Sequence, residues 1–342
     1  MKGNPFISDK FLLNYTIDEI KQLLDDYWWK LPPTTVEIDP TNLCNNACIW
    51  CMYHDFREIV PESITLDEMK SIIKQLSEFG VRSITFTGGG EPLCNKDVFP
   101  QAFHLAKAAG LQVGLVTNGM FLGDYVKDIA ETCRFVRVSL DAGTAKTHAY
   151  LHGVPEHIFN DVLKNIQLLV GKVDTGLAFL VHPDNYTEVE KFCKIGASLG
   201  VSYVEVRPVL MPGLTLSNKI VDSVMEQLQR CRERNKNLKV FCRLERFEEV
   251  GTKTQPFSIC LGTPLVGVIS ADMNVSLCCQ WRGVSEYNFG NLKEQSFKDI
   301  WYGEKRRKIV ESIDVSKCTP CRYRGYNRLL ENLKCAEHIE FL

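Results

Sequence analysis

The sequence has little that would direct the chain to a membrane or to nucleic acid. Its 342 residues carry 40 basic and 42 acidic side chains, so the formal net charge is only -2. There is no basic surplus for a polyanion and no polybasic block for an anionic membrane. No run reaches the roughly 18 apolar residues of a membrane span, and the N-terminus does not resemble a signal peptide. We therefore expect a cytoplasmic protein that binds neither nucleic acid nor membrane.

Repeats and low-complexity tracts are also missing, and the composition is that of an ordinary globular protein. Hydrophobic residues make up 45% of the chain and charged residues 24%, with ample length for a large core. The unusual component is cysteine, with 14 residues that cluster at short spacings in two parts of the sequence. In a reducing cytosol, such clusters indicate metal or redox chemistry rather than disulfides.

Strand and helix patterns alternate through the first two thirds of the chain. Six apolar strands are each separated from the next by a helix, which predicts an α/β fold with a parallel sheet. An open doubly wound sheet and a partial (β/α)6 TIM-like barrel both satisfy this pattern, and both bind ligands at the carboxyl ends of the strands. We expect an N-terminal helical extension (1–34), the partial barrel (35–212), a linking helix (213–255) and a small α+β domain (256–342).

Three cysteines share the loop that follows the first predicted strand. Cys44, Cys48 and Cys51 have the spacing Cys-x3-Cys-x2-Cys. Iron–sulfur clusters usually take four cysteine thiolates, so three would leave one iron of a four-iron cluster open to a ligand. The competing interpretation is a zinc site completed by His54. Zinc motifs normally pair their cysteines at matched spacing, and no second pair lies close in the sequence.

This loop resembles the cysteine signature of radical S-adenosylmethionine (SAM) enzymes, including the aromatic Trp50 before the last cysteine. Glycine and glutamate residues at the end of the second strand resemble that family's glycine–glycine–glutamate motif, and the ends of strands three and four resemble its further marks. These residues are Gly88, Gly89, Gly90, Glu91, Asn118, Ser139 and Asp141. The resemblance extends over residues 35–210 and implies a partial TIM-like barrel.

The resemblance also implies the cofactors and the chemistry. The open iron of a [4Fe-4S] cluster would chelate SAM, and one electron would split it into methionine and a 5′-deoxyadenosyl radical that abstracts a substrate hydrogen. The glycines would let the backbone approach the methionine, with Glu91 at its ammonium. Ser139 and Asp141 would contact the ribose or methionine, unless they only form a strand-end turn, and Val181 would line the adenine pocket. A flavodoxin or ferredoxin would supply the electron.

A second group of cysteines lies in the last quarter of the chain. A Cys-x2-Cys pair brings two thiolates to one metal, and a predicted hairpin over 265–278 can bring two more cysteines together. The set is Cys260, Cys278, Cys318 and Cys321. Four thiolates make a fully ligated cluster, which resembles the twitch or SPASM auxiliary domain of some radical SAM enzymes and implies one auxiliary [4Fe-4S] cluster. Cys279 and Cys335 remain alternative ligands, and a structural zinc remains an alternative metal.

A closed cluster near a substrate radical can accept an electron, which favours dehydrogenation. We expect a small polar metabolite, such as a sugar or aminocyclitol, because the segment before Thr35 is short for a leader-peptide domain. Arg207, at the end of the sixth strand, is the expected substrate contact. The basic and aromatic segment 322–328 either recognises phosphate or hydroxyls or forms the basic face of a helix. The alternatives are an epimerase with a cysteine hydrogen donor, a peptide maturase, or a non-enzymatic iron–sulfur or zinc-binding protein.

Overall fold

The computed structural model describes residues 15–25, 28–211, 213–242, 246–247, 255, 257–318, 321 and 323–335. The strands within these ranges are β1 (Thr35–Ile38), β2 (Ser83–Phe86), β3 (Gln112–Thr117), β4 (Cys133–Ser139), β5 (Asp174–Val181), β6 (Tyr203–Pro208), β7 (Lys239–Cys242), β8 (Val266–Ile269), β9 (Asn274–Ser276) and β10 (Asn288–Asn291). The helices are α1 (Ile17–Leu24), α2 (His54–Ile59), α3 (Leu66–Glu78), α4 (Gln101–Ala108), α5 (Val126–Thr132), α6 (Ala145–His152), α7 (His157–Leu169), α8 (Val189–Leu199), α9 (Asn218–Arg234), α10 (Phe297–Tyr302), α11 (Glu304–Glu311) and α12 (Arg324–Cys335).

The strands of these described ranges form one sheet in the order β10-β9-β8-β1-β2-β3-β4-β5-β6-β7. Neighbours from β8 through β1 to β7 are parallel, whereas β8, β9 and β10 pair antiparallel. The predicted α/β fold with a partial TIM-like barrel is confirmed. The sheet also extends beyond the six predicted strands, because β7 follows α9 and β8 pairs beside β1. The C-terminal segment therefore continues the barrel sheet, which local sequence patterns do not reveal.

Helix boundaries follow the capping chemistry in the sequence. Thr65 caps α3, and Glu68 completes a capping box because its carboxylate accepts from the backbone N–H of Thr65. Thr16 caps α1 in the same way, and this helix ends at Leu24. Gly303 separates α10 from α11. Its backbone is extended there, with φ of -69° and ψ of 146°.

The N-terminal segment is tied to the C-terminal helices by buried polar contacts. The indole of Trp301 donates to the carbonyl of Leu31 at 2.7 Å. The guanidinium of Arg306 donates to the carbonyls of Trp29 at 3.1 Å and Trp301 at 2.8 Å, and it lies 3.8 Å from the Trp301 ring centroid. These contacts join the segment just before β1 to α10 and α11. Among the described residues, no helix combines the length and the apolar character needed to cross a bilayer.

Candidate functional site

The three cysteines of the first group lie on one loop at the carboxyl end of β1. Cys44, Cys48 and Cys51 are free thiols, each half-buried. Burial raises the pKa of Cys44 and Cys51. Within the described part of the chain, no three cysteine, histidine or acidic side chains converge around one ion position. Each cysteine of a four-iron cluster binds a different iron. The ligand sulfurs of such a cluster therefore lie farther apart than those around a single ion. Three thiols at one strand end fit this donor set.

His54, the fourth ligand of the competing zinc interpretation, begins α2 on the surface. Its Nε2 lies 3.4 Å from Oε1 of Glu58, one turn along the same helix, and both side chains are more than half exposed. The structure thus orients the imidazole along α2.

The three consecutive glycines after β2 pack directly against the cysteine loop. A Cβ on Gly89 would lie 2.3 Å from Oδ1 of Asn42, and a Cβ on Gly90 would lie 2.1 Å from the carbonyl oxygen of Leu43. A Cβ on Gly88 would lie 1.7 Å from the carbonyl oxygen of Gly90. Any larger residue would force this loop away, so the close approach of the two backbones requires glycine. This glycine cradle fits the expected site for the methionine end of SAM.

The carboxylate of Glu91 joins the ends of β2 and β3. It accepts hydrogen bonds from the Thr117 hydroxyl at 2.6 Å and from the backbone N–H groups of Asn118 at 2.7 Å and Leu93 at 3.2 Å. Burial raises the pKa of Glu91 to about 7, against the effect of these donors. An ammonium ligand at this carboxylate, as the family resemblance implies, would share it with three donors of the chain.

Asn118 holds the cysteine loop through its side chain. Its Nδ2 donates to Oδ1 of Asn45 at 2.7 Å and of Asn46 at 3.3 Å, while its Oδ1 accepts from the Met120 backbone at 3.0 Å. All polar atoms of this amide therefore contact the chain itself, and Asn118 holds the cysteine loop. Its expected contact with the cofactor stays a prediction.

The end of α6 supports the other side of the loop. The backbone N–H groups of Ala47 and Ile49 donate to the carbonyls of His152 at 2.9 Å and Leu151 at 3.0 Å. The last carbonyls of a helix have no partner within it, and the cysteine loop supplies one. Gly153 then leaves the helix with a left-handed φ of 62°, where a Cβ would lie 2.6 Å from the Ala47 carbonyl oxygen.

A buried His–Asp pair contacts the central cysteine of the loop. Nδ1 of His152 lies 3.2 Å from Sγ of Cys48, and its Nε2 lies 3.4 Å from Oδ2 of Asp141. Burial disfavours the charged ring, but the hydrogen bonds with Asp141 and Cys48 outweigh it and raise the pKa of His152 to about 10. Asp141 also accepts from the Leu180 backbone at 2.6 Å. Sequence reasoning missed His152, whose only signal was its spacing four residues after His148.

Three cofactor residues expected from the sequence occupy different environments. Ser139 is half-buried at the end of β4. Asp141 is only 1% exposed, and its carboxylate lies 3.4 Å from Nε2 of His152. Val181 is 0% exposed and packs in the core. Side chains alternate along a strand, and its neighbour Leu180 packs near the loop. The expected cofactor contacts of these residues stay predictions.

Trp50, the aromatic residue of the signature, is buried beneath the loop. Its ring lies 6.0 Å from the ring of His152 and 5.5 Å from that of His182. It packs with Leu151 and Val209, at the ends of α6 and β6. The indole therefore anchors the loop to the barrel.

Charged side chains fill the interior of the barrel. Nε of Arg282 lies 2.6 Å from Oδ2 of Asp39, and Nη2 of Arg282 lies 3.6 Å from Oε2 of Glu37. Burial raises the pKa of Asp39 to about 6, although the charge of Arg282 opposes this change. The Arg282 guanidinium also lies 4.8 Å from the ring of Tyr53, whose hydroxyl donates to the carbonyl of Cys279 at 2.8 Å. This chain of contacts joins the first cysteine loop to the second cysteine group.

A second buried ion pair lies farther along the sheet. Nη1 of Arg137 on β4 lies 3.2 Å from Oε2 of Glu205 on β6. Arg207 shares a face of β6 with Glu205, because residues two apart in a strand point the same way. The Arg207 side chain is half-buried, and its buried Nε has no hydrogen-bond partner among the described residues. The expected substrate contact of Arg207 stays a prediction.

The four predicted cysteines of the second group lie together. Cys260, Cys278 and Cys321 are buried and Cys318 is half-buried. Burial raises the pKa of Cys278, Cys318 and Cys321, and the neighbouring Cys260 raises each of them further. Four mutually close thiols fit a fully ligated cluster. Cys279 is buried beside them, whereas the side chain of Cys335 lies outside what the structure describes.

The basic and aromatic segment 322–328, which the sequence leaves as either a recognition segment or a helix face, contributes contacts to this second group. Asn327, on α12, is 0% exposed. Its Nδ2 donates to Sγ of Cys260 at 3.6 Å and its Oδ1 accepts from the Gly262 backbone at 2.6 Å. The backbone N–H of Tyr323 donates to Sγ of Cys321 at 3.3 Å. Arg322 lies outside the described residues.

Comparison with protein families confirms the resemblance at the cysteine loop and the glycines. Residues 38–196 match the radical SAM superfamily, and residues 264–322 match SPASM, an iron–sulfur cluster-binding domain. The SPASM match contains Cys278, Cys318 and Cys321 and begins just after Cys260.

Individual relatives extend along most of the chain. The AdoMet-dependent heme synthase of Methanosarcina barkeri is 27% identical over 85% of this chain and 89% of its own length. The GTP 3′,8-cyclase of Peptoclostridium acidaminophilum is 28% identical over 56% of this chain and 60% of its own. The crystal structure of Streptococcus suis SuiB bound to S-adenosylmethionine, 16% identical, has a TM-score of 0.68 and covers 95% of this chain and 76% of that one. The last likeness shows a shared fold.

Replacing Glu91 by Gln tests the junction of β2 and β3. The new NH2 group would face hydrogen-bond donors, so we expect a loss of about 1–3 kcal/mol in the free energy of unfolding, measured with urea at pH 6. The exposed Glu78→Gln at the end of α3 should change stability by less than about 0.5 kcal/mol. Burial raises the pKa of Glu91 in the folded protein to about 7, above its value in the unfolded chain. The wild type therefore loses stability as the pH rises from the unfolded pKa to the folded pKa. The deficit of the variant should therefore shrink towards pH 8, and a constant deficit would contradict the raised pKa.

Proposed function

We propose that this chain, which belongs to the radical SAM superfamily and carries a SPASM iron–sulfur domain, is an oxidoreductase that removes hydrogen from a small polar substrate. Its cofactors are SAM, a SAM-binding [4Fe-4S] cluster and an auxiliary iron–sulfur cluster. When bound, the first cluster and SAM supply a 5′-deoxyadenosyl radical by reductive cleavage. A flavodoxin or ferredoxin is the proposed reductant.

We assign the first cluster to Cys44, Cys48 and Cys51. Gly88, Gly89 and Gly90 would present their backbone to the methionine end of SAM. We assign a single auxiliary cluster to the second group: Cys260, Cys278, Cys318 and Cys321. In this division the barrel covers 35–212, a linking segment that contains α9 covers 213–255, and the auxiliary domain covers 256–342, after an extension over 1–34.

One observation carries the oxidising role. Tyr53, two residues after Cys51, donates its hydroxyl to the carbonyl of Cys279, which adjoins Cys278. The two cysteine groups are thus joined by one side chain, on a sheet that they share through β1 and β8. An electron acceptor at the second group would lie near the barrel interior where a substrate radical forms, and its potential would depend on burial and on hydrogen bonds to its sulfurs.

The barrel interior favours a polar substrate. Arg207 carries a buried Nε that no described residue satisfies, and an arginine of this kind binds carboxylate or phosphate well. A sugar, an aminocyclitol or one of their phosphorylated forms would suit this lining. A second candidate is a haem precursor, favoured by the heme synthase that matches 85% of this chain.

The first cluster is tested by Cys48→Ala. Loss of one of three ligands should abolish cleavage of SAM to 5′-deoxyadenosine by anaerobic, reconstituted and dithionite-reduced protein, measured by chromatography. Cys242→Ala, a half-buried cysteine on β7 outside both groups, is the matched control and should cleave SAM like the wild type. Substantial cleavage by Cys48→Ala would refute the assignment.

The auxiliary cluster is tested by combining Cys318→Ala with Cys321→Ala. Iron and sulfide analysis should show a loss of about one four-iron cluster per chain, while SAM cleavage persists because the first cysteine group is intact. Unchanged iron content would remove the auxiliary cluster from these cysteines.

The direction of the reaction is tested in deuterated water with candidate substrates. An oxidoreductase leaves a product that is two electrons more oxidised and has no solvent deuterium at the reacting carbon. An epimerase, which returns a hydrogen atom, places deuterium on that carbon. Mass spectrometry of the product separates the two, and deuterium incorporation without oxidation would contradict the proposed oxidising role.

A further inference from the structure

The Cys48–His152–Asp141 contact is assigned no role by the proposed function. His152 closes α6 and is 2% exposed. One ring nitrogen faces the sulfur of Cys48 at 3.2 Å, and the other faces the carboxylate of Asp141 at 3.4 Å. The remaining polar neighbour is Nδ2 of Asn46, 3.4 Å from the same nitrogen that faces the sulfur.

We propose that His152 donates a hydrogen bond from Nδ1 to the sulfur of Cys48 and thereby raises the reduction potential of the cluster that Cys48 binds, with Asp141 as the positioning residue for the ring. The inference rests on the proposed function, because it takes Cys48 as a cluster ligand.

The chemistry of the neighbours fixes the direction of the hydrogen bonds. A cysteine sulfur that binds iron carries no proton and can only accept, as can the carboxylate of Asp141. Both ring nitrogens of His152 therefore face acceptors. If Nδ1 instead accepted from the amide of Asn46, its lone pair would oppose the sulfur at 3.2 Å, an unfavourable contact. Donation from Nδ1 to the sulfur, 3.2 Å away, is therefore the favoured contact.

The position of Asp141 is itself constrained. Its backbone has a left-handed φ of 56°, unusual for a residue other than glycine. Its Oδ1 accepts from the Leu180 backbone, and its own carbonyl accepts from Nδ2 of Asn185 at 2.8 Å. The carboxylate is thus held between the Leu180 backbone and the imidazole of His152. It orients the imidazole, as carboxylates orient histidines at metal sites.

A buried donor at a ligand sulfur stabilises the reduced cluster, which carries one more negative charge. Hydrogen bonds to sulfur and burial are among the factors that set the potential of a cluster. The second cysteine group has a comparable donor, the amide of Asn327, 3.6 Å from Sγ of Cys260. The contact of His152 with Cys48 is shorter, at 3.2 Å.

The neighbouring histidine provides a matched control. His148 lies one turn earlier on α6, with its ring centroid 4.4 Å from that of His152. Neither of its nitrogens has a hydrogen-bond partner among the described residues, and burial lowers its pKa to about 3. The two histidines share a helix face and burial, but only His152 reaches a sulfur.

Two substitutions separate the contact with sulfur from the contact with carboxylate. His152→Asn places an amide near the position of Nδ1 and keeps a donor to Cys48. His152→Gln reaches towards Asp141 but not towards the sulfur. His148→Phe removes the stacked neighbour alone. Reduction of the reconstituted full-length protein would be followed by low-temperature EPR over a range of potentials, using the signal that changes on addition of SAM.

We expect the equilibrium constant for one-electron reduction of the cluster to be about tenfold smaller in His152→Gln than in the wild type. This corresponds to a reduction potential about 59 mV lower. His152→Asn should lose less, about threefold, because its amide keeps a donor at the sulfur, and His148→Phe should match the wild type. A His152→Gln potential equal to that of the wild type would overturn the proposal.

A second measurement uses the unmutated chain and does not depend on variant folding. Protein labelled with 15N in histidine should show a weak nitrogen coupling to the reduced SAM-responsive cluster in pulsed EPR. Absence of this coupling would refute the hydrogen bond. If no SAM-responsive signal appears in wild-type protein, the cluster assignment itself fails, which distinguishes failure of the proposed function from failure of this inference.

Discussion

The close approach of two backbones, between the glycines after β2 and the loop after β1, is the constraint on which the site depends. At Gly90 there is no room for a Cβ beside the Leu43 carbonyl, and the N–H of Glu91 donates to that same carbonyl at 2.9 Å. The carboxyl end of α6 holds the other side of the loop. The loop is thereby fixed by backbone geometry, and three thiols are presented beside the glycine cradle.

The second feature is a charged barrel interior that connects the two cysteine groups. The Arg282–Asp39 and Arg137–Glu205 pairs are buried, and such pairs are weak evidence of stabilisation, because desolvation of both charges offsets their attraction. We interpret them as positioning elements. Arg282 stacks on Tyr53, and Tyr53 bonds to the carbonyl of Cys279. The addition of β8 beside β1 brings this contact about, and it makes the auxiliary segment part of the barrel sheet.

Local patterns in the sequence were sufficient for the parallel α/β fold, both cysteine groups and the glycine motif, because each is carried by residues close together in the chain. Tertiary contacts between distant segments could not be predicted from these local patterns. The pairing of β8 with β1 joins segments about 230 residues apart, and His152 meets Cys48 only because α6 ends under the loop. The contacts of single side chains were also not predictable: Val181 packs in the core, and the Asp141 carboxylate lies 3.4 Å from His152. A position at a strand end does not by itself tell which face a side chain occupies.

The central claim is that the first cysteine loop holds a cluster with one iron open to SAM. Low-temperature EPR of anaerobically reconstituted and reduced protein, with and without SAM, tests it most directly. The account predicts a paramagnetic cluster signal whose shape changes when SAM is added and which is absent in Cys48→Ala. No cluster signal, a signal indifferent to SAM, or a crystal with zinc bound by the three sulfurs would contradict it.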